Sequence, residues 1–266
     1  MEKKFCIANG DLVKIDALRS APIFMLNDYV TDILRLYNTK TLCLGMHINN
    51  IQAAMAIKHK NLPPEFTAEY LDRRIRSLLN VNNVYKGGSC RLLVYWQTFP
   101  EQTEPQFCIF TEPLESVDYK FNTKGYILEM RDLQTEISQY IPLTSQTETP
   151  ETLICEFDKH GKTYTAGNHD IILIHDTQLT VCETTLPFTT YFLSYLARNQ
   201  WKIKKVPYFT KQDFDECTEI CICNQFSGIQ WIRRLYHTEH SEQYASFATK
   251  QAQKLFAELA TAVTEM

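Results

Sequence analysis

The stretch Lys202–Ile232, KIKKVPYFTKQDFDECTEICICNQFSGIQWI, is the most informative about the fold. KIKKVPY alternates lysine with Ile203 and Val206, the pattern of a strand whose lysines guard an open edge. KQDFDE, near residues 210–216, predicts a short acidic helix. TEICICN predicts a second strand, with Cys221 and Cys223 on one face and Ile220 and Ile222 on the other. NQFSG then predicts a loop. Cys217 lies close enough in sequence to suggest zinc, but its spacing to Cys221 is no usual knuckle. Interleaved isoleucines favour a buried strand with small apolar thiols.

Upstream, TLICEFD, KTYTA, DIILIHD and LTVCE read as four short strands around the turn Lys159-His160-Gly161-Lys162. PFTTYFLSYLARN (187–199) predicts a helix. Downstream, 242–265 predicts a long amphipathic helix. In the first half, FCIANGDLVKI (5–15) reads as a hairpin turning at Asn9-Gly10. Residues 28–36 and 46–58 have helical spacing; in the second, Ile48, Ile51, Ala54 or Met55 and Ala53 can share a face. Pro63 to Asn83 predicts another helix, with Tyr70, Ile75, Leu78 and Leu79 as its apolar stripe. Gly87-Gly88 breaks the chain before the strand CRLLVYWQTF, and FCIFTEP is a further strand. Residues 113–124 are polar and aperiodic, GYILEMRD (125–132) is a strand, and 133–151 reads as a loop. Strands mixed with helices without a βαβ rhythm predict an α+β fold in two lobes, 1–113 and 119–266, joined by a linker at 114–118.

Composition narrows the function. The 266 residues are 44% apolar and 22% charged, with net charge −4. No basic field exists to hold a nucleic-acid backbone, and no apolar run approaches the ~20 residues of a membrane span. The start, MEKKFCIANGD, lacks the apolar core of a signal peptide. Nine cysteines without scaffold spacing fit free thiols in a reducing cytoplasm. Glycine occurs only 8 times, about half the usual share. Glycine is what lets backbone amides approach a phosphate closely.

Taken in order, these pieces resemble the class IV aminotransferases, the fold-type IV enzymes that use pyridoxal phosphate (PLP). That family includes branched-chain and D-amino-acid transaminases and aminodeoxychorismate lyase. The resemblance lies in NDYVTDILRLYN and HINNI, then KTYTAGNHDIILIHDTQLTV, LPFTTYFLSYLA and the opening stretch. It implies a two-lobed enzyme fold of the D-amino-acid aminotransferase type, a homodimer, and a small-molecule site in the cleft between lobes.

PLP chemistry asks for a lysine to bond the cofactor, an acid at the pyridine nitrogen, and a cation with backbone amides at the phosphate. The family's lysine helix falls between GYILEMRD and TLICEFD. From Gly125 to Asp158 the only basic residue is Arg131, which stays protonated and cannot serve. The interval is also too short for a helix with two connections. In the turn Thr165-Ala166-Gly167-Asn168, Ala166 stands at the acid's place. In His47-Ile48-Asn49-Asn50, neutral Asn50 stands at the arginine's. The first backbone cradle becomes Phe188-Thr189-Thr190, with bulky Phe188 for glycine; the second becomes Asn224-Gln225. The sequence therefore predicts a degenerate relative with no catalytic residue, no PLP and no metal. Its former cofactor cleft is Asn50, Ala166, Gly167, Asn168, Thr189, Thr190, Asn224 and Gln225. The alternative is an active PLP-dependent aminotransferase or lyase drawing its lysine from Lys159, Lys162 or Lys124.

Other motifs read as structural. His237-Thr238-Glu239-His240 lacks a third strong ligand and predicts a solvated loop. His169-Asp170 and His175-Asp176 sit on a strand, where adjacent residues face opposite ways. Arg73, Arg74 and Arg76 fit a solvated helix face.

Overall fold

Asn9 and Gly10 both take left-handed backbone, with φ of 48° and 91°, the requirement of a two-residue type I′ hairpin turn. They join β1 (Phe5–Ala8) to β2 (Asp11–Lys14). The computed structural model describes residues 5–18, 28–97, 102–114, 118–133, 152–237, 240–243 and 248–266. It divides into two compact units, Met1–Asp118 and Tyr119–Met266.

After the single-turn α1 (Ile15–Leu18), the first unit continues with β3 (Asp28–Tyr37), β4 (Lys40–Thr41), α2 (Leu44–Ile57), α3 (Ala68–Val81), β5 (Gly87–Gln97) and β6 (Gln102–Pro113). The sheet order is β2-β1-β6-β5-β3-β4, antiparallel in every pairing. Val30, Leu34 and Leu36 of β3, Leu92 and Val94 of β5 and Ile109 of β6 share a buried core with α2 and α3.

Several expectations for this unit are corrected. Residues 28–36 form a strand: β3 pairs with β5 from Asp28↔Trp96 to Tyr37↔Gly87, and its inward residues alternate. Tertiary pairing decides against a local helical spacing that Val30, Ile33 and Leu34 also satisfy. Helix α3 begins at Ala68, where Thr67 caps it by accepting from the Tyr70 N–H at 3.4 Å; Pro63 and Pro64 precede it. Leu71, not Tyr70, completes its buried stripe. In α2, Ala53 is exposed while Ile48, Ile51 and Met55 are buried. Gly87 and Gly88 open β5 rather than break the chain before it.

The second unit runs β7 (Tyr126–Asp132), β8 (Thr152–Phe157), β9 (Thr165–Ala166), β10 (His169–His175), β11 (Gln178–Cys182), α4 (Pro187–Arg198), β12 (Lys202–Val206), α5 (Lys211–Glu216), β13 (Glu219–Asn224), β14 (Gly228–His237), β15 (His240–Gln243) and α6 (Ala248–Glu265). The strands order as β12-β11-β10-β13-β14-β7-β8-β9, and β9 also pairs β10. That second pairing closes six strands, β10, β13, β14, β7, β8 and β9, into a ring. Its interior holds Leu128, Phe157, Leu173, Phe209, Phe214 and Ile222. Phe214 stacks edge-on between Phe157 and Phe209, with centroids 5.9 and 6.0 Å away. β12 forms the open edge, with Lys202, Lys204 and Lys205 exposed.

In this unit, the expected loop after Asn224 is a three-residue turn into the ten-residue strand β14. Residues 242–243 belong to β15, so the last helix starts at Ala248. His237 and His240 lie opposite each other across β14 and β15; residues 238–239 between them lie outside the described residues. The expected loop at 134–151 also lies outside them.

Candidate functional site

Ala166 belongs to the ring's interior: fully buried, it pairs with Cys155 and His169. Its apolar surroundings would leave an ionised carboxylate without partners. Gly167 turns the chain with φ 56°, and its N–H bonds to the Ile154 carbonyl at 2.9 Å. Asn168, exposed at the turn, accepts from the Asn224 carboxamide at 3.4 Å. The β9–β10 and β13–β14 turns are thereby neighbours.

Asn224 organises the second turn by itself. Its Oδ1 accepts from the Phe226 N–H at 2.9 Å, the Ser227 N–H at 2.7 Å and the Ser227 hydroxyl at 2.9 Å. His169 Nε2 lies 3.2 Å from the same hydroxyl oxygen. The Ser227 hydroxyl is thereby shared between Asn224 Oδ1 and the His169 ring, whose donor or acceptor role follows its tautomer. Burial holds His169 near pKa 4, hence neutral. The Gln225 carbonyl accepts from the Tyr119 hydroxyl at 2.9 Å. Gly228, at φ 69°, has no room for a side chain: a Cβ would come within 2.9 Å of the Tyr119 ring and 2.8 Å of Leu259.

The third turn is the N-terminus of α4. Leu186 stands at the N-cap with no side-chain cap of its own, and Pro187 follows. Instead, Asp170 from β10, only 1% exposed, accepts from the Leu186 N–H at 2.8 Å. Phe188 is buried and its ring centroid lies 5.9 Å from that of Tyr119. Thr189, fully buried, faces Cys223, whose thiol burial pushes up to about 12. Thr185 and Thr190 hydroxyls bond each other at 2.6 Å.

The structure thus brings Ala166, Gly167, Asn168, Asn224 and Gln225 together through adjoining turns. Thr189 faces Cys223, next to Asn224, and Thr190 lies on the same helix. Asn50 lies in the other unit, exposed on α2. One helical turn before Asn50, buried His47 Nδ1 sits 2.8 Å from Asp32 of β3. Sequence reading missed Ser227 and Tyr119 and gave Asp170 no role. The available signal was polar residues bracketing the apolar run IILI. In the first unit a groove of about 880 Å³, lined by Asn9, Lys60, Pro63, Glu104 and Phe107 among others, contains none of the expected residues.

Cys221 and Cys223 are fully buried within β13 and Cys217 nearly so. Among the described residues no group of three His, Cys, Asp or Glu is placed to hold a metal, and no helix is long and apolar enough to cross a membrane.

This architecture is that of the fold-type IV aminotransferases. Solved structures with the same fold include a T.th. branched-chain amino acid aminotransferase complexed with N-(5'-phosphopyridoxyl)-L-glutamate, at 12% identity and TM-score 0.81 over 100% of this chain and 95% of that one. The branched-chain amino acid aminotransferase from Escherichia coli matches at 12% identity and TM-score 0.73, over 96% and 92%. A hypothetical aminotransferase from Mycobacterium tuberculosis, in its PLP-bound form, matches at 9% and TM-score 0.74, over 98% and 99%. By sequence, no protein-family model and no curated protein matches the chain.

Proposed function

We propose that this chain is an aminotransferase-fold protein that neither binds PLP nor transfers amino groups, and that it acts as a binding or regulatory protein. The carrying observation is the missing lysine: between Gly125 and Asp158 the only basic side chain is Arg131. Its Nε donates to Glu129 at 2.8 Å. Three features of the turns support the reading. Ala166 offers no acid, Phe188 fills the place of a glycine, and Asn224 uses two turn N–H groups for itself. The residues present do not fit a phosphorylated pyridine cofactor, so no reaction step is routed through one.

The rival reading needs a lysine from another position. Lys162 Nζ is held over the Tyr208 ring, 4.4 Å from its centroid. The proposal includes a homodimer, following the resemblance, and a reducing cytoplasm, following the nine cysteines without scaffold spacing. It also includes a small-molecule ligand that hydrogen-bonds to Asn168, Gln225 and their neighbours.

The test is a PLP titration followed in the visible, then borohydride reduction and mass-spectrometric mapping. No band and no labelled lysine is expected. One stoichiometrically labelled lysine would restore the enzyme reading and name its residue.

A further inference from the structure

The N-terminus of a helix favours an anion, because its first N–H groups lack helical partners and the dipole is positive there. Helix α4 brings no side chain of its own to that end. The anion comes from elsewhere in the sheet: Asp170 reaches from β10 to the Leu186 N–H at 2.8 Å, with 1% of its surface exposed. The charge of Asp170 also contributes to raising the Cys182 and Cys223 thiols, after burial as the main cause. It therefore lies among β11, β13 and the start of α4. In the adjoining turn the Asn224 carboxamide does the equivalent job with a neutral oxygen, gathering two N–H groups and one hydroxyl. Tyr119 and Phe188 pack beside both turns.

We infer that Asp170 is the resident counter-anion of α4, standing in for the phosphate that the resemblance places at this helix end, and that this face of the C-terminal unit rejects phosphorylated ligands. The inference rests on the cofactor-free reading above and deepens it. An incoming phosphate would meet a fixed carboxylate instead of an arginine, so like charge opposes it where the fold otherwise invites it. The same carboxylate satisfies the backbone donor of the N-cap residue through a charge-assisted bond.

The test is thermal denaturation of the full chain at constant ionic strength, with inorganic phosphate and formate as probes. Wild-type Tm should not move with phosphate beyond the ionic-strength control. Asp170→Gly removes the carboxylate and should lower Tm by about 2–6 °C; formate, a free carboxylate of the right size, should recover part of that loss. A phosphate-dependent rise in the wild-type Tm overturns the inference. So does an Asp170→Gly variant with unchanged Tm, or one that formate does not rescue. Should Asp170→Gly fail to fold, Asp170→Asn keeps an oxygen for the Leu186 N–H and removes only charge. Its Tm should fall below wild type, and equal stability would overturn the counter-anion role.

Comparing pyridoxal with pyridoxal phosphate separates this inference from the one beneath it. Capture of pyridoxal by one lysine with weaker capture of the phosphorylated aldehyde would sink the cofactor-free reading and leave the rejection of phosphate standing. Tighter capture of the phosphorylated aldehyde would sink both.

Discussion

The two units bury carboxylates and imidazoles in different ways. In the first, buried His47 meets Asp32, whose side chain is 27% exposed, so charge in that pair remains in touch with water. In the second, Asp170, Glu219 and His169 are 1%, 4% and 8% exposed. Their partners include backbone groups and a hydroxyl: the Leu186 N–H for Asp170, the Ala252 backbone for Glu219, and the Ser227 hydroxyl for His169. The difference follows from topology. An open six-stranded sheet packed on α2 and α3 leaves margins where a carboxylate reaches solvent. A ring of strands packed inside and backed by α4 and α6 leaves few, so polar groups there must find protein donors or lose their charge.

The largest expected effect tests whether the ring's interior carries the second unit. Phe214→Ala empties the space between Phe157 and Phe209. It should cost about 3–5 kcal/mol, read by chemical denaturation with tryptophan emission. A loss under ~1 kcal/mol, far below the usual cost of emptying a core aromatic site, would mean that α5 is peripheral to the core.

Glu219 and His169 provide the next test, because their titrations oppose each other. Burial raises Glu219 from 4.5 to about 7. The folded state holds that proton longer than the unfolded chain, so this group makes stability fall as pH rises from 4.5 to about 7. Burial lowers His169 from 6.5 to about 4. The unfolded chain takes that proton first, so this group makes stability rise with pH from about 4 to 6.5. In wild type the slopes largely cancel. Glu219→Gln should expose the rising limb and His169→Gln the falling one, each on the order of 2 kcal/mol across the window. Parallel pH profiles for the two variants would refute the assignment of opposite signs.

A smaller effect is expected in the first unit. His47→Ala removes the imidazole but leaves Asp32 partly hydrated and still accepting from the Ile33 N–H at 2.8 Å. The loss should be about 1–3 kcal/mol, below that of Phe214→Ala. A larger loss would mean that the exposed side of Asp32 does not relieve it.

Sequence reading reached the second unit's strands and helices well where one face is uniformly apolar, as in IILI of β10 and ICIC of β13. It failed at β3, where Asp32 interrupts the inward-facing row because its partner His47 arrives from another element. It failed at β14 because GIQWIRRLYH mixes apolar residues with a buried Gln230. That glutamine donates to the Lys120 and Ser227 carbonyls, contacts set by the fold. For the site, what was legible was substitution: Ala166, Phe188 and Asn224 could be read against the residues PLP needs. What replaces those residues was not, because the Asp170–Leu186 bond joins positions sixteen apart and spacing alone does not reveal it.

The two helix starts make the same point at the smallest scale. Thr67 caps α3 from the position immediately before it, accepting from the Tyr70 N–H at 3.4 Å. That is the local arrangement the sequence advertises. The distance is long for a hydrogen bond, so Thr67→Ala should cost about 0.5–1 kcal/mol, at the lower end for caps. It should leave the pH profile unchanged, since no charge is involved. Asp170 caps α4 from a different strand, so its removal frees a buried donor and unties β10 from α4 together. A Thr67→Ala loss as large as that of Asp170→Gly would show that capping alone, not the tie between elements, sets the importance of Asp170.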